Sequence, residues 1–247
     1  MTSKNAFQLS TLSAVMLGNY EPALTIGELK THGTLGIGTF EGIGGELILI
    51  DGKAFNGSYS SEAVPVDDAE KTPFACVIPW APDDEAPIEI PGAESLEGLR
   101  AALEAAAAGK SKNRILAVRM KASDVKLKFR SFAPAERPWK PVSEMLFSQK
   151  ETELLADEAE IIGFRFPAYL EALNMPGWHL HVITAPDASG RRFGGHLLEF
   201  SSAAPIEAAM MTASGIELSF PTGEAGRIYD ELPLDADLRE AIKAAEG

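Results

Sequence analysis

Arg114-Ile115-Leu116-Ala117-Val118-Arg119-Met120-Lys121 and Val125-Lys126-Leu127-Lys128-Phe129-Arg130-Ser131-Phe132 read as two strands joined at Ser123-Asp124, and they set the fold class. Downstream, Glu160 to Phe166, Trp178 to Thr184, Gly195 to Phe200 and Ile216 to Phe220 read as more strands. Upstream, glycines punctuate short apolar runs from Leu35 on. Glu46 to Ile50 is a strand ending at the turn Asp51-Gly52, and Phe74 to Trp80 is another. Helices are few. Leu12 to Leu17 reads as the first, and Thr25-Ile26-Gly27-Glu28 is a capping box opening a second that stops at Gly33. Ser95 caps a helix to Ala108 with a Leu96, Leu99, Leu103 stripe; Pro167 starts a short turn, and Asp237 to Glu246 has the pattern of a closing helix. Strands that follow strands predict an α+β, mostly β fold with a few short helices, not a doubly wound sheet. Pro134, Pro138 and Pro141 mark a boundary. The expectation is two packed β-rich subdomains, 1–145 and 146–247, forming one cooperative unit with a site on strands near their interface.

Composition narrows the function. The chain has 247 residues, enough for a sizeable core. With 22 basic and 36 acidic side chains the formal net charge is −14, which disfavours nucleic acid and anionic membrane surfaces as partners. One cysteine, Cys76, excludes an internal disulfide and Cys-rich zinc modules, and its apolar surroundings make it a core residue. No apolar stretch is long enough to span a bilayer, and Ser and Thr break the run at Leu12 to Leu17, which argues against a signal peptide. The expected location is the cytoplasm. The glycines lack the context of a phosphate loop.

Four histidines carry the chemistry: His32, His179, His181 and His196. In Trp178-His179-Leu180-His181-Val182, period-2 alternation puts both imidazoles on one face. Their Cα atoms are roughly 6.5–7 Å apart, a spacing from which two rings can converge on one metal at about 2.0–2.1 Å per bond. Gly195-His196 opens the next strand, and antiparallel pairing would bring in a third imidazole. Three histidines with an open fourth position make a catalytic zinc arrangement. His32, beside Gly33, reads as a partner for a helix C-terminus.

Several segments resemble the acetolactate decarboxylase family: Thr25-Ile26-Gly27-Glu28-Leu29, Leu35-Gly36-Ile37-Gly38-Thr39-Phe40, Gly45-Glu46-Leu47-Ile48, Asp51-Gly52, Gly163-Phe164-Arg165 and Pro167-Ala168-Tyr169. Gly177-Trp178-His179-Leu180-His181 and Gly194-Gly195-His196 resemble that family's zinc-binding strand pair, and the resemblance runs from about Gln8 onward. It implies Zn2+ held by His179, His181 and His196, with carboxylates from Glu46 and from Glu246 near the chain end. It also implies a site arginine at Arg130 and a site threonine at Thr39. Residue type alone would not separate Arg130 from Arg119 or Arg165. The segment between His181 and His196 is longer than the family's usual loop, Phe129 stands where threonine is common, and Gly44 replaces a frequent Asp.

The implied reaction turns 2-hydroxy-2-methyl-3-oxobutanoate into acetoin and carbon dioxide through a metal-stabilised enediolate. The substrate's own ketone receives the electron pair, so no organic cofactor is required. Arg130 would pair with the carboxylate, and Glu46 or Arg130 would protonate the carbon. The expected partner is this small 2-hydroxy-3-oxo acid, with a homodimer as the assembly. Two other readings remain open at this level. One is a cupin-like metal isomerase or dioxygenase, although Val182-Ile183-Thr184-Ala185 lacks a cupin's glutamate after the second histidine. The other is a non-catalytic metal-containing β binding protein. Lys121, Lys126 and Lys128 carry no mark of a Schiff-base lysine.

Overall fold

The computed structural model describes residues 4–84, 86–110 and 112–234. In chain order the elements are β1 (Asn5–Leu9), α1 (Leu12–Met16), β2 (Leu24–Thr25), α2 (Ile26–Lys30), β3 (Leu35–Thr39), β4 (Glu46–Ile50), β5 (Lys53–Gly57), β6 (Ala63–Pro65), β7 (Lys71–Thr72), β8 (Phe74–Ile78), β9 (Ile88–Ile90), α3 (Leu96–Ala106), β10 (Leu116–Phe132), α4 (Val142–Met145), β11 (Gln149–Phe166), β12 (Gly177–Thr184), β13 (Gly194–Ser201), β14 (Ile206–Thr212), β15 (Gly215–Ser219) and α5 (Gly223–Glu231). The chain is mostly β with short helices, as the sequence predicts. The capping box is present: the Thr25 hydroxyl accepts from the Glu28 N–H and the Glu28 carboxylate accepts from the Thr25 N–H. The Asp237 to Glu246 helix lies outside the described residues.

Two sheets carry the architecture. The first has the order β15-β1-β8-β3-β4-β5-β6, with β1 parallel to β15 and antiparallel to β8. The second closes on itself. β10 pairs with β11 along its whole length, β11 with β12, β12 with β13, and β13 returns to the far end of β10. β14 and β9 extend it from the near end of β10. Each sheet draws strands from both sides of residue 145, since β9 and β10 join the second and β15 the first.

β10 corrects the reading of two strands joined at Ser123-Asp124. Asp124 takes a positive φ of 50°, and the register steps from Ser123↔Glu158 to Val125↔Ala156, so the chain bends and continues. The sequence suggested a turn because Ser-Asp favours one. The long partner β11 supplies ladder hydrogen bonds on both sides of the bend and keeps it a strand. β11 likewise starts eleven residues before Glu160, at Gln149. Its first half is rich in Glu and partly exposed, so its apolar signal is weak.

Period-2 alternation sorts side chains into layers. Ile37 and Ile48 of the first sheet meet Ile162, Phe164 and Ile183 of the second in one buried cluster. The outer face of the first sheet packs Leu49 and Val77 on Ile26 and Leu29 of α2. The outer face of the second packs Val118, Leu127 and Leu180 on Leu96, Leu99 and Leu103 of α3. Each such leucine stabilises the fold by about 1.5–3 kcal/mol. Cys76 is fully buried between the sheets. The sheets approach closely at Gly57, where a Cβ would lie 2.7 Å from the Gly194 carbonyl oxygen and 3.0 Å from the Gly195 Cα. No helix among the described residues is long and apolar enough to cross a membrane.

Candidate metal centre and active site

The alternation that buries Ile37 and Ile48 between the sheets also aims Thr39 and Glu46 inward, because each lies two residues from one of them on its strand. On β12, His179 and His181 share a face with Ile183, opposite Leu180 and Val182. Cross-strand register supplies the rest: His181 pairs with His196, which pairs with Arg130 on β10. Thr39 pairs with Glu46 across β3 and β4. The polar group therefore sits in the inter-sheet layer.

The geometry is tight. The three histidines each offer a ligand nitrogen, all within 4.8 Å of one another, and all three are buried. His179 Nε2 lies 3.2 Å from His196 Nδ1. That matches the edge of a tetrahedron with metal–nitrogen bonds of about 2.0–2.1 Å, roughly 3.3 Å. His181 Nδ1 lies 2.9 Å from the Leu47 carbonyl oxygen, which can only accept, so Nδ1 carries the proton and Nε2 the lone pair. That Nε2 is buried and makes no hydrogen bond, although Glu46 Oε2 is 3.4 Å away. A buried lone pair so placed is what a cation would satisfy. Burial, with the Arg130 charge adding, lowers His179 to about 3. Burial, with His179 adding, holds His181 well below its ordinary value. Both shifts favour the neutral imidazole, the form that binds metal.

Arg130 Nη1 donates to Glu46 Oε1 at 3.4 Å, and its guanidinium lies 4.9 Å from the Phe132 ring centroid. Glu46 thereby bridges the arginine and the histidine group. The Thr39 hydroxyl donates to the Gly45 carbonyl oxygen at 2.7 Å. A cavity of about 30 Å³ lies among these groups; Thr39, Glu46, Arg130, His179 and His196 form its polar side, and Leu12, Val15, Met16, Phe74 and Val142 its apolar side.

The structure thus brings together six of the seven residues singled out from sequence: Thr39, Glu46, Arg130, His179, His181 and His196. Glu246 lies outside the described residues. The competing arginines are elsewhere, Arg119 bound to Asp51 and Glu160, and Arg165 to Glu104. His32 stacks on Phe7 with centroids 3.7 Å apart. The sequence reading missed the Leu47 carbonyl, a backbone group with no residue-type signal, and Asn174, whose Oδ1 lies 3.4 Å from His179 Nδ1.

Over residues 6–231 the chain matches the family model described as Alpha-acetolactate decarboxylase. It is 34% identical over 244 residues to the alpha-acetolactate decarboxylase of Methylococcus capsulatus, covering 97% of this chain and 88% of that one. The Lactococcus lactis subsp. cremoris protein of the same name is 31% identical over 245 residues, with 97% of both chains covered. The crystal structure of alpha-acetolactate decarboxylase from Bacillus subtilis strain 168 superposes with a TM-score of 0.88 at 25% identity, covering 98% of this chain and 99% of that one.

Proposed function

The chain belongs to the alpha-acetolactate decarboxylase family, a family of carboxy-lyases, and on that premise we propose that His179, His181 and His196 hold a zinc ion beside a carboxylate-binding arginine. The observation that carries this reading is the buried convergence of three imidazole nitrogens within 4.8 Å, one of them a lone pair with no hydrogen bond. Three imidazoles with room for a further ligand suit a catalytic zinc. When bound, zinc supplies Lewis acidity toward the substrate ketone and hydroxyl. Glu246 is proposed to add a carboxylate to the same group.

The chain's own residues then divide the work. Arg130 neutralises the substrate carboxylate and orients the bond to be broken. That carbon–carbon bond breaks, carbon dioxide leaves, and the electron pair passes onto the neighbouring carbonyl. Glu46, between Arg130 and His181, is assigned the delivery of a proton, drawn from solvent water once per turnover, to the carbon that lost carbon dioxide, with Arg130 as the alternative donor. Thr39 lines the same pocket and fixes the Gly45 turn. The apolar side chains of α1 and Val142 exclude water and face the substrate's methyl groups. The enzyme is proposed to act in the cytoplasm as a homodimer.

The test combines metal analysis with a carbon dioxide and acetoin assay on acetolactate. About one zinc per chain is expected, with activity lost on chelation and restored by zinc. A fully active, metal-free preparation defeats the zinc reading.

A further inference from the structure

Gln8 and Asn174 are buried polar side chains outside the group described above, and both are fully inaccessible to solvent. Gln8, on β1, donates from Nε2 to the carbonyl oxygens of Leu173 at 2.7 Å and Ser10 at 3.3 Å. Carbonyl oxygens only accept, so the Gln8 amide is fixed with Oε1 facing the other way. Asn174 Nδ2 donates to that Oε1 at 2.9 Å. The orientation of Asn174 is then fixed as well. Its Oδ1 accepts from the Met175 N–H at 2.8 Å and faces His179 Nδ1 at 3.4 Å. An amide oxygen cannot donate, so a hydrogen bond here puts the ring proton on Nδ1, and in the 3.2 Å contact between His179 Nε2 and His196 Nδ1 the donor is then His196.

We propose that Gln8 and Asn174 are positioning residues that lock His179 in the Nδ1–H tautomer and so aim its Nε2 lone pair at the metal. The proposal rests on the zinc reading above. Two backbone carbonyls set the direction, and the chain of amides transmits it from the first sheet to a ligand on the second. His181 receives the same instruction from the Leu47 carbonyl, so both histidines of β12 present Nε2. A partner on the outer nitrogen of a ligating histidine typically changes metal affinity 10–100-fold.

The test has two readings on the full chain. First, a long-range proton–nitrogen correlation spectrum of histidine-labelled, metal-stripped protein reports the tautomer directly, and four histidines keep it simple to assign. His179 should show a protonated Nδ1 and a bare Nε2. A wild-type His179 protonated on Nε2 overturns the proposal, and that measurement needs no variant. Second, zinc affinity is measured by competition with a chromophoric chelator. Asn174→Ala should bind zinc about 10–100-fold more weakly, and Asn174→Asp, which keeps the acceptor, should recover it. Asn174→Ala with wild-type zinc affinity overturns the proposal, since a merely structural asparagine would lower Tm and leave affinity unchanged. A wild type that takes up no zinc defeats the zinc reading instead, and the tautomer spectrum then decides this one.

Discussion

Arg130→Met keeps most of the side-chain volume and removes the charge. Arg130 is 3% exposed and lies in the inter-sheet layer, so bulk water screens it little. At ~4 Å and an effective dielectric of about 20, a carboxylate facing its guanidinium gains about 4 kcal/mol. Glu46 already shares that guanidinium at 3.4 Å, which reduces the part available to substrate. Roughly 3–4 kcal/mol is therefore at stake, shared between substrate binding and the transition state, or about 10²–10³-fold in kcat/KM. Steady-state carbon dioxide release should show that loss while zinc content stays at the wild-type level. Arg130→Lys should recover part of it, because a point charge replaces a fork. Arg119→Met should turn over normally, since Arg119 is tied to Asp51 and Glu160 away from the site. Turnover of Arg130→Met within a fewfold of wild type, or equal damage from Arg119→Met, would refute the assignment.

Three further outcomes are expected. Glu246→Gln should lower zinc retention or turnover while Glu240→Gln changes neither, as read by metal analysis and assay; equal behaviour of the two would remove Glu246 from the site. Gly57→Ala should lower Tm by an overpacking cost of about 1–3 kcal/mol and reduce zinc content, because its Cβ would press on Gly194 and Gly195 just before His196; an unchanged Tm would show that the sheets can part there. Asp83 is set to about 2, since burial, which pushes it up, is outweighed by hydrogen bonds from Thr212, Lys110 and Lys4. Its contribution, about 1 kcal/mol after solvent screening, is therefore complete above its ordinary 3.8 and lost as pH falls through about 2. Asp83→Asn should lower Tm at pH 7, and the difference should shrink as the pH falls from 3.8 through about 2; a constant difference would contradict the sign.

Much of the site was legible because strand periodicity is simple. His179 and His181 had to share a face, and a glycine pair before His196 marked the next strand. Resemblance was needed for Glu46 and Arg130, since a glutamate at a strand start and an arginine near a strand end are common on surfaces. Only three-dimensional register put Arg130 beside His196. The bend at Asp124 was misread because a local turn preference was overridden by a long partner strand. β1 went unread because Asn5-Ala6-Phe7-Gln8-Leu9 is short, and Gln8 serves a hydrogen-bond chain that no spacing rule reveals. The Asn174 and Leu47 contacts depend on loop and backbone placement, which residue types do not encode.

The parallel pairing of β1 with β15 has a consequence for biosynthesis. The first strand made cannot find that neighbour until the chain has grown past Ser219. The second sheet likewise cannot close before β13 has emerged. For roughly 6–25 seconds at ribosomal speeds of about 5–20 residues per second, β3, β4 and β8 have no opposing layer. Their inner face of Ile37, Ile48, Cys76 and Ile78 is an aggregation hazard in that interval. Long-range pairing of this kind folds slowly. Expression yield should therefore depend on holding chaperones and growth temperature more than on the stability of the finished protein.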